Sequence, residues 1–379
     1  MERRDFIRLV GGGVVLAALP SCASATDARA AWRDPGARES DPCRRALAWA
    51  ILAPNPHNMQ PWLADLSEPD VVTLYVDPAR LLPVTDPFNR QIVMGCGAFL
   101  ELLRMAAAQA GLAASVEPFP DGEPRPRLDA RPVARVRLAR GGEADPLFAH
   151  VLARRTNRNP FEERAVPERA ALAIAQAAAN PLVATGFTVD PTRVEALKAL
   201  AFEGARIEAT TPPAHRESVE RTFIGSRDVA AHRYGISLEG AAIDTLHGLG
   251  LLTQARMKEP GTFAFKQSLA FLKKGADTAR GFIWQVTRGE SRAEELAAGA
   301  AYLRANLAAA GQGLSMQPWS QGLQEYATQD GLRARLHAAL AADGGRVQML
   351  ARIGYAKAIA PAPRRGLDAN LRTANLGDT

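Results

Sequence analysis

One spacing constrains this chain more than any other feature. Gly97-Ala98, Ala106-Ala107-Ala108 and Gly111-Leu112 recur as Gly299-Ala300, Ala308-Ala309-Ala310 and Gly313-Leu314, each 202 positions later. Both copies read as amphipathic, Ala-rich helices whose small residues permit close packing, and each ends at a Gly suited to a helix C-terminus. A second echo lies upstream. Leu74-Tyr75-Val76-Asp77-Pro78 resembles Phe187-Thr188-Val189-Asp190-Pro191 at an offset of 113, each a short strand closed by an Asp-Pro turn.

Two ordered matches predict two α+β halves, about 40–150 and 151–379, packed as an intramolecular pseudo-dimer. The length of 379 residues exceeds one ordinary domain, and 47% hydrophobic with 23% charged residues is a globular balance. The change of offset implies about 90 additional residues in the second half, between about 200 and 290, read as a helical insertion or lid. Asp121 to Pro132, rich in Pro and Arg, reads as an exposed loop before a strand at Val133 to Leu138.

The first 25 residues read as an export signal: paired Arg3-Arg4, an apolar run from Leu9 to Leu19, then Ala23-Ser24-Ala25. The run is too short to span a bilayer. Cleavage after Ala25 and lipidation at Cys22 are both open, so the expected location is the periplasm or a lipoprotein anchor. Cys43 and Cys96 lack CxxC partners; a disulfide between them is possible in an oxidising compartment, though Cys96 between two glycines reads better as a small buried thiol. The six His show no metal-binding spacing, so no metal is expected. The net charge of +6 has no long Lys/Arg run, and no nucleic-acid partner is expected.

The halves are not equivalent where chemistry could sit. The first carries Ala53-Pro54-Asn55-Pro56-His57-Asn58-Met59-Gln60-Pro61-Trp62, whereas the second opens with Arg154-Arg155-Thr156-Asn157-Arg158 and ends with Pro363-Arg364-Arg365. Each arginine motif alone reads as a solvated helix start or tail. Together they provide paired donors for a phosphate, and Asn55, Asn58 and Gln60 provide amides for a heteroaromatic ring. Trp62 is balanced between ligand wall and core. No side chain stands out as a general acid.

These motifs resemble the nitroreductase superfamily, and specifically its Acg-type branch, in which two nitroreductase-like α/β/α halves are fused in one chain. The family's Arg-[Arg/His]-Ser-x-Arg segment is matched by Arg154 to Arg158 with Thr156 replacing Ser. Its Ala-Pro-Ser-x-x-Asn-x-Gln-Pro-Trp loop is matched by Ala53 to Trp62 with Asn55 replacing Ser. Its tail is matched by Arg352-Ile353-Gly354-Tyr355 and Pro363-Arg364-Arg365.

Separately, Arg3-Arg4-Asp5-Phe6-Ile7 resembles a twin-arginine export signal; the family resemblance implies FMN bound between the halves. Arg154, Arg155, Thr156, Asn157, Arg158, Arg364 and Arg365 would serve its phosphate and ribityl chain. Pro54, Asn55, Asn58 and Gln60 would flank the ring, with Pro318 and Ser320 from a looser match. The chemistry would then be the cofactor's, with a small-molecule electron donor and acceptor. Two activities follow: an FMN-dependent reductase of nitroaromatics or quinones, or a flavin-sequestering protein with little turnover. A fused chain needs no second copy to complete the site.

Overall fold

The computed structural model describes residues 27–372; the expected export signal, Cys22 included, lies outside them. Asp41 opens α1 (Pro42–Ala50) by accepting from Arg44 N, with Pro42 in the first turn. A hairpin of β1 (Trp62–Asp65) and β2 (Val71–Val76) follows, then α2 (Arg90–Gln109), β3 (Leu112–Pro118) and β4 (Ala134–Arg140). These strands form an antiparallel sheet in the order β1-β2-β4-β3.

The second half begins with α3 (Glu168–Ala177) and β5 (Val183–Thr188). A long excursion then runs through α4 (Pro191–Thr210), α5 (Pro212–Glu220), β6 (Thr222–Ile224), α6 (Ser226–His232), β7 (Ile236–Leu238), α7 (Ala241–Gly248), α8 (Gln254–Lys258) and α9 (Phe263–Asp277). The chain returns as β8 (Gly281–Thr287), α10 (Arg292–Gly311), β9 (Ser315–Pro318), α11 (Asp330–Leu340) and β10 (Arg346–Gly354). The second sheet, β5-β8-β10-β9, is also antiparallel and has the strand order of the first. The excursion stands where the first half has only the β1–β2 turn.

The two long helices, α2 and α10, meet backbone to backbone. A Cβ on Gly97 would lie 1.9 Å from Leu296 O, and a Cβ on Gly299 would lie 1.8 Å from Met94 O. Met94 and Leu296 are themselves 202 apart, so the contact is self-complementary, as across a two-fold axis. Each of these residues enters the other half's core: Leu296 joins Leu47, Phe99 and Val136, and Met94 joins Ile174, Ile283 and Ile353. Helix α2 is apolar and long enough to cross a bilayer by composition, yet 83% of that window is buried inside the protein. Both helices end as the sequence predicts, at Gly111 (φ 72°) and Gly313 (φ 68°).

One expectation is revised and two others are refined. The echo at offset 113 pairs β2, an interior strand, with β5, an edge strand, so it reflects two similar Asp-Pro turns rather than equivalent positions. Asp77 caps the short turn 78–80, whereas Asp190 caps α4. The loop from Asp121 to Pro132 is exposed over most of its length, as expected, and is anchored at the start of α10: Glu123 accepts from Arg292 N and Ala293 N, and the Arg292 guanidinium donates to Phe88 O, Pro124 O and Pro126 O. Cys43 and Cys96 are both free and buried, with burial pushing the thiols up to about 11 and about 12.

The layers differ between halves. Helices cover one face of the first sheet, and the outer face of β4 carries Arg135 and Arg137 paired with Glu68. The second sheet has α3 and α10 on one face, while α4 and α11 pack a separate core on the other around Phe282, Trp284 and Leu350. Beyond α4, the excursion has its own small core of Val219, Ile224, Leu252, Met257 and Ala264.

Because each glycine of the crossing faces a carbonyl and not a movable side chain, Gly97→Ala is expected to lose at least about 3 kcal/mol of stability by urea denaturation. Gly111→Ala, with open space around it but a left-handed backbone, is expected to lose about 1 kcal/mol. Equal effects would show that the close approach does not govern stability.

Candidate functional site

The three predicted motifs meet at the seam between the halves. Arg364, 3% exposed, donates Nε to Ile51 O at 2.9 Å, Nη2 to Leu52 O at 3.2 Å and Ala53 O at 3.1 Å, and Nη1 to Asn58 Oδ1 and Pro363 O. Arg154 Nη2 reaches the same Leu52 O at 3.2 Å. The Trp32 ring lies within 5.8 Å of the guanidinium carbons of Arg154, Arg155 and Arg364, and its indole N–H donates to Ala362 O. Trp32 carries no motif signal in the sequence, and only the fold brings it under three arginines.

The loop from Ala53 to Trp62 is backbone-strained. His57, Asn58 and Gln60 have φ of 46°, 55° and 52°. Each left-handed non-glycine residue costs about 1 kcal/mol or more. Side-chain hydrogen bonds worth about 1 kcal/mol net apiece offset this. Asn58 Nδ2 donates to Gly235 O and Pro363 O at 3.1 Å each. Gln60 Nε2 donates to Arg233 O at 2.9 Å, and its Oε1 accepts from Arg365 N at 2.9 Å. Asn55 Oδ1 accepts from Gln60 N at 2.7 Å, and its Nδ2 donates to Ala53 O.

Asn55, Asn58 and Gln60, expected to flank a ring, here use their amide groups to hold the loop, the tail and the excursion together. Three of the arginines expected at a phosphate and ribityl chain are likewise engaged by the chain itself. Arg155 donates to Leu152 O, Arg154 O and Ile359 O, and Arg364 is filled by carbonyls. Arg365 Nη2 donates to Gln60 O and Asn370 Oδ1. The physical reason is common to all: a strained loop leaves carbonyls facing inward, and guanidinium forks satisfy several at once.

Other predicted residues take structural places. Asn157 Nδ2 donates to Ser315 Oγ and Lys357 O, Thr156 forms a parallel bridge with Met316, and Pro318 pairs with Ala351 inside the second sheet. Ser320 Oγ donates to Gln91 Oε1 at 3.3 Å across the seam. Pro54 is buried ahead of the strained turn. Trp62 is fully buried with its ring 4.9 Å from Phe99, which settles it as core. Arg352, from the family-like tail, is sandwiched by Phe161 and Trp319 and donates to Arg158 O, Asn159 O and Gln317 Oε1.

What remains unsatisfied marks a candidate ligand site. Arg158 makes no side-chain hydrogen bond or ion pair within the described residues, although burial pushes its guanidinium down. Arg154 Nη1, Arg221 Nε and His57 Nδ1 are also buried without partners. Tyr302, pushed up to about 12 by burial, feels both Arg154 and Arg158, and the charges acting on His57 are those of Arg158 and Arg221. Loop, second half and excursion thus each contribute an unpartnered group to one region. Sequence reading missed Arg221 entirely, since nothing local distinguishes it from a surface arginine.

Two other features are set aside by their chemistry. An open cleft of about 680 Å³ is lined by Arg104, Gly142, Asp145 and Arg304, but Arg304 already pairs with Glu101 and Asp145, and Arg104 with Glu101. Among the described residues no cluster of three His, Cys, Asp or Glu side chains is placed to hold a metal ion.

Burial lowers the His57 pKa from 6.5 to about 4, so the folded protein resists a proton that the unfolded chain accepts. The unfolded state therefore binds more protons between pH 6.5 and 4, and stability falls as pH drops through that window. Wild type is expected to lose about 2 kcal/mol more than His57→Asn between pH 7 and pH 5 in urea titrations, since Asn tolerates the left-handed backbone without titrating. Equal losses in both proteins would place the acid sensitivity elsewhere.

No protein-family model matches the chain. Among curated proteins it is 38% identical over 127 residues to Acg of Mycobacterium tuberculosis, provisionally named an NAD(P)H nitroreductase. That match covers 33% of this chain and 37% of Acg, so the aligned segment is little more than a third of the relative. A second M. tuberculosis protein, Rv3131, with the same provisional naming, is 27% identical over 337 residues, 87% of this chain and 90% of its own. Among solved structures, the FMN- and NADPH-dependent nitroreductase NfnB of a Sphingopyxis strain aligns at TM-score 0.37 and 17% identity, covering 61% of this chain and all of that one. An FMN-dependent nitroreductase NfnB from Mycobacterium smegmatis aligns at 0.36 and 15%, covering 60% and 96%. The near end-to-end sequence relationship to Rv3131 and the segment shared with Acg support a place for the chain in the nitroreductase superfamily, beside its Acg-type members.

Proposed function

We propose that the chain is an FMN-binding, nitroreductase-like oxidoreductase that passes electrons from a small-molecule donor to a nitroaromatic, quinone or similar acceptor. The observation that supports this reading is the set of donors left without protein partners at the seam: the buried Arg154 Nη1 and Arg221 Nε, with the half-buried Arg158 beside them. An unpaired buried guanidinium is costly, and an oxygen-rich anionic cofactor satisfies it. The donor set fits FMN, which bears a phosphate and carbonyl oxygens. Arg154 and Arg158 would hold it with Thr156. FMN, when bound, supplies two-electron chemistry. Trp32 fixes Arg154 in place, and the Arg364 fork keeps the strained loop closed so that water is kept from the seam.

A second reading, flavin sequestration with little turnover, is favoured by the way the excursion is fastened. Glu217 accepts from Val84 N, Thr85 N and Thr85 Oγ1, and Gly235 exchanges hydrogen bonds with Asn58, so the cover is tied to the first half at several points. Export by a twin-arginine route, part of the same proposal, would leave little NAD(P)H at hand and favours another donor.

Anaerobic titration of the purified chain separates the readings. A yellow protein bleached by NADPH and reoxidised by a nitroaromatic is the expected result; bleaching only by dithionite would favour sequestration or another donor, and a protein that takes up no FMN would falsify both. Arg158→Ala is expected to weaken FMN binding about tenfold to a hundredfold by fluorescence titration, the loss of one charge-assisted hydrogen bond.

A further inference from the structure

A hydrogen-bonded chain leads from the strained loop into the excursion and ends on the second half. His57 Nε2 lies 3.4 Å from Ser218 Oγ, and Ser218 Oγ lies 2.9 Å from Glu208 Oε1. Glu208 Oε2 accepts from Gln324 Nε2 at 2.6 Å, and Gln324 Oε1 accepts from Tyr326 OH at 2.8 Å. At its other end His57 Nδ1 is buried and unpartnered, in the field of Arg158 and Arg221. A left-handed backbone at His57 places the ring there, at a strain that an ordinary loop residue would avoid.

We propose that Glu208, Ser218 and His57 form a proton relay that opens at His57 Nδ1 and protonates the reduced acceptor, and that Arg158 and Arg221 fit this subsite to nitro or carboxylate oxygens. The proposal rests on the flavin reading above. The relay has two neutral-ring settings. With Glu208 ionised, Ser218 donates to it, His57 Nε2–H donates to Ser218, and Nδ1 is an acceptor. With Glu208 protonated, the carboxyl donates to Ser218, Ser218 donates to Nε2, and Nδ1–H is a donor facing the site.

Proton balance is direct. One proton leaves His57 Nδ1 for the acceptor oxygen, the Ser218 hydroxyl proton moves to His57 Nε2, and the Glu208 carboxyl proton moves to Ser218 Oγ. Glu208 ends as a carboxylate, and no electrons travel along the relay. The acceptor's electron pair comes from the flavin, reduced by a hydride donor or dithionite. Burial raises the Glu208 carboxyl, the bonds from Ser218 and Gln324 act against this, and the Glu217 carboxylate adds to the rise. Arg158 and Arg221 oppose a charged imidazole, so the ring passes protons without holding a second one.

The test uses the full chain with ¹⁵N-labelled histidine, the His57 signals being assigned by their loss in His57→Asn. Raising the pH is expected to move the His57 proton from Nδ1 to Nε2 in one step with no imidazolium, and Glu208→Gln is expected to abolish that step. A tautomer that ignores pH, or a step that persists in Glu208→Gln, overturns the relay whether or not flavin binds. A second measurement follows reoxidation of the FMN-loaded, dithionite-reduced protein by 4-nitrobenzoate and by ferricyanide, which takes up no proton. Ser218→Ala is expected to slow the nitrobenzoate reaction about a hundredfold and leave ferricyanide unaffected. Equal slowing of both would reduce the chain to a structural tether. Failure to load FMN would defeat the flavin reading while the tautomer measurement still decides the relay.

Discussion

At the centre of the molecule two helix backbones touch. Gly97 sits against the Leu296 carbonyl and Gly299 against that of Met94, closer than any side chain would allow. This contact sets the distance between the halves. It also sends Met94 and Leu296 into each other's cores, so that neither half has a complete apolar interior alone. The sheets, the seam and the arginine knot above it all inherit their spacing from this crossing.

Charge at the seam follows from the same geometry. Bringing the loop at 53–62 beside the tail at 363–365 turns several carbonyls inward, where water cannot serve them. Arg364 satisfies those of Ile51, Leu52 and Ala53 with one fork, which a lysine ammonium could not match. The cationic groups therefore divide into two kinds. Arg155 and Arg364 are held by the chain itself, while Arg158 and parts of Arg154, Arg221 and Arg365 are left without partners. Motif matching treats all of them alike; only hydrogen-bond accounting separates them.

The excursion between β5 and β8 changes what the first half can do. It leaves from the second half's sheet yet is fastened to the first, through Glu217 on the Val84–Thr85 backbone and through Gly235 on Asn58. The amides of Asn58 and Gln60 serve as its anchor points. The same docking brings Ser218 and Glu208 to His57, which turns a loop histidine with no evident role into the end of a polar chain.

Much of the fold was legible in the chain because its determinants are local or periodic. The 202-residue spacing marked the crossing helices, and their terminal glycines marked where they stop, since a left-handed residue there favours glycine. Trp62, by contrast, could be read as ligand wall or core until Phe99 was found beside it. The meeting of loop, arginines and tail was readable through family resemblance, but the partner of each donor was not. Arg221, Ser218, Glu208 and Trp32 gave no local signal, because their positions depend on chain segments far away in sequence. By itself the sequence determined two similar helices, two halves and a long interruption, all encoded in short-range pattern. Which polar atoms are consumed and which are left to meet a ligand was decided only by tertiary structure, because hydrogen-bond satisfaction in a buried seam is a property of every segment that enters it.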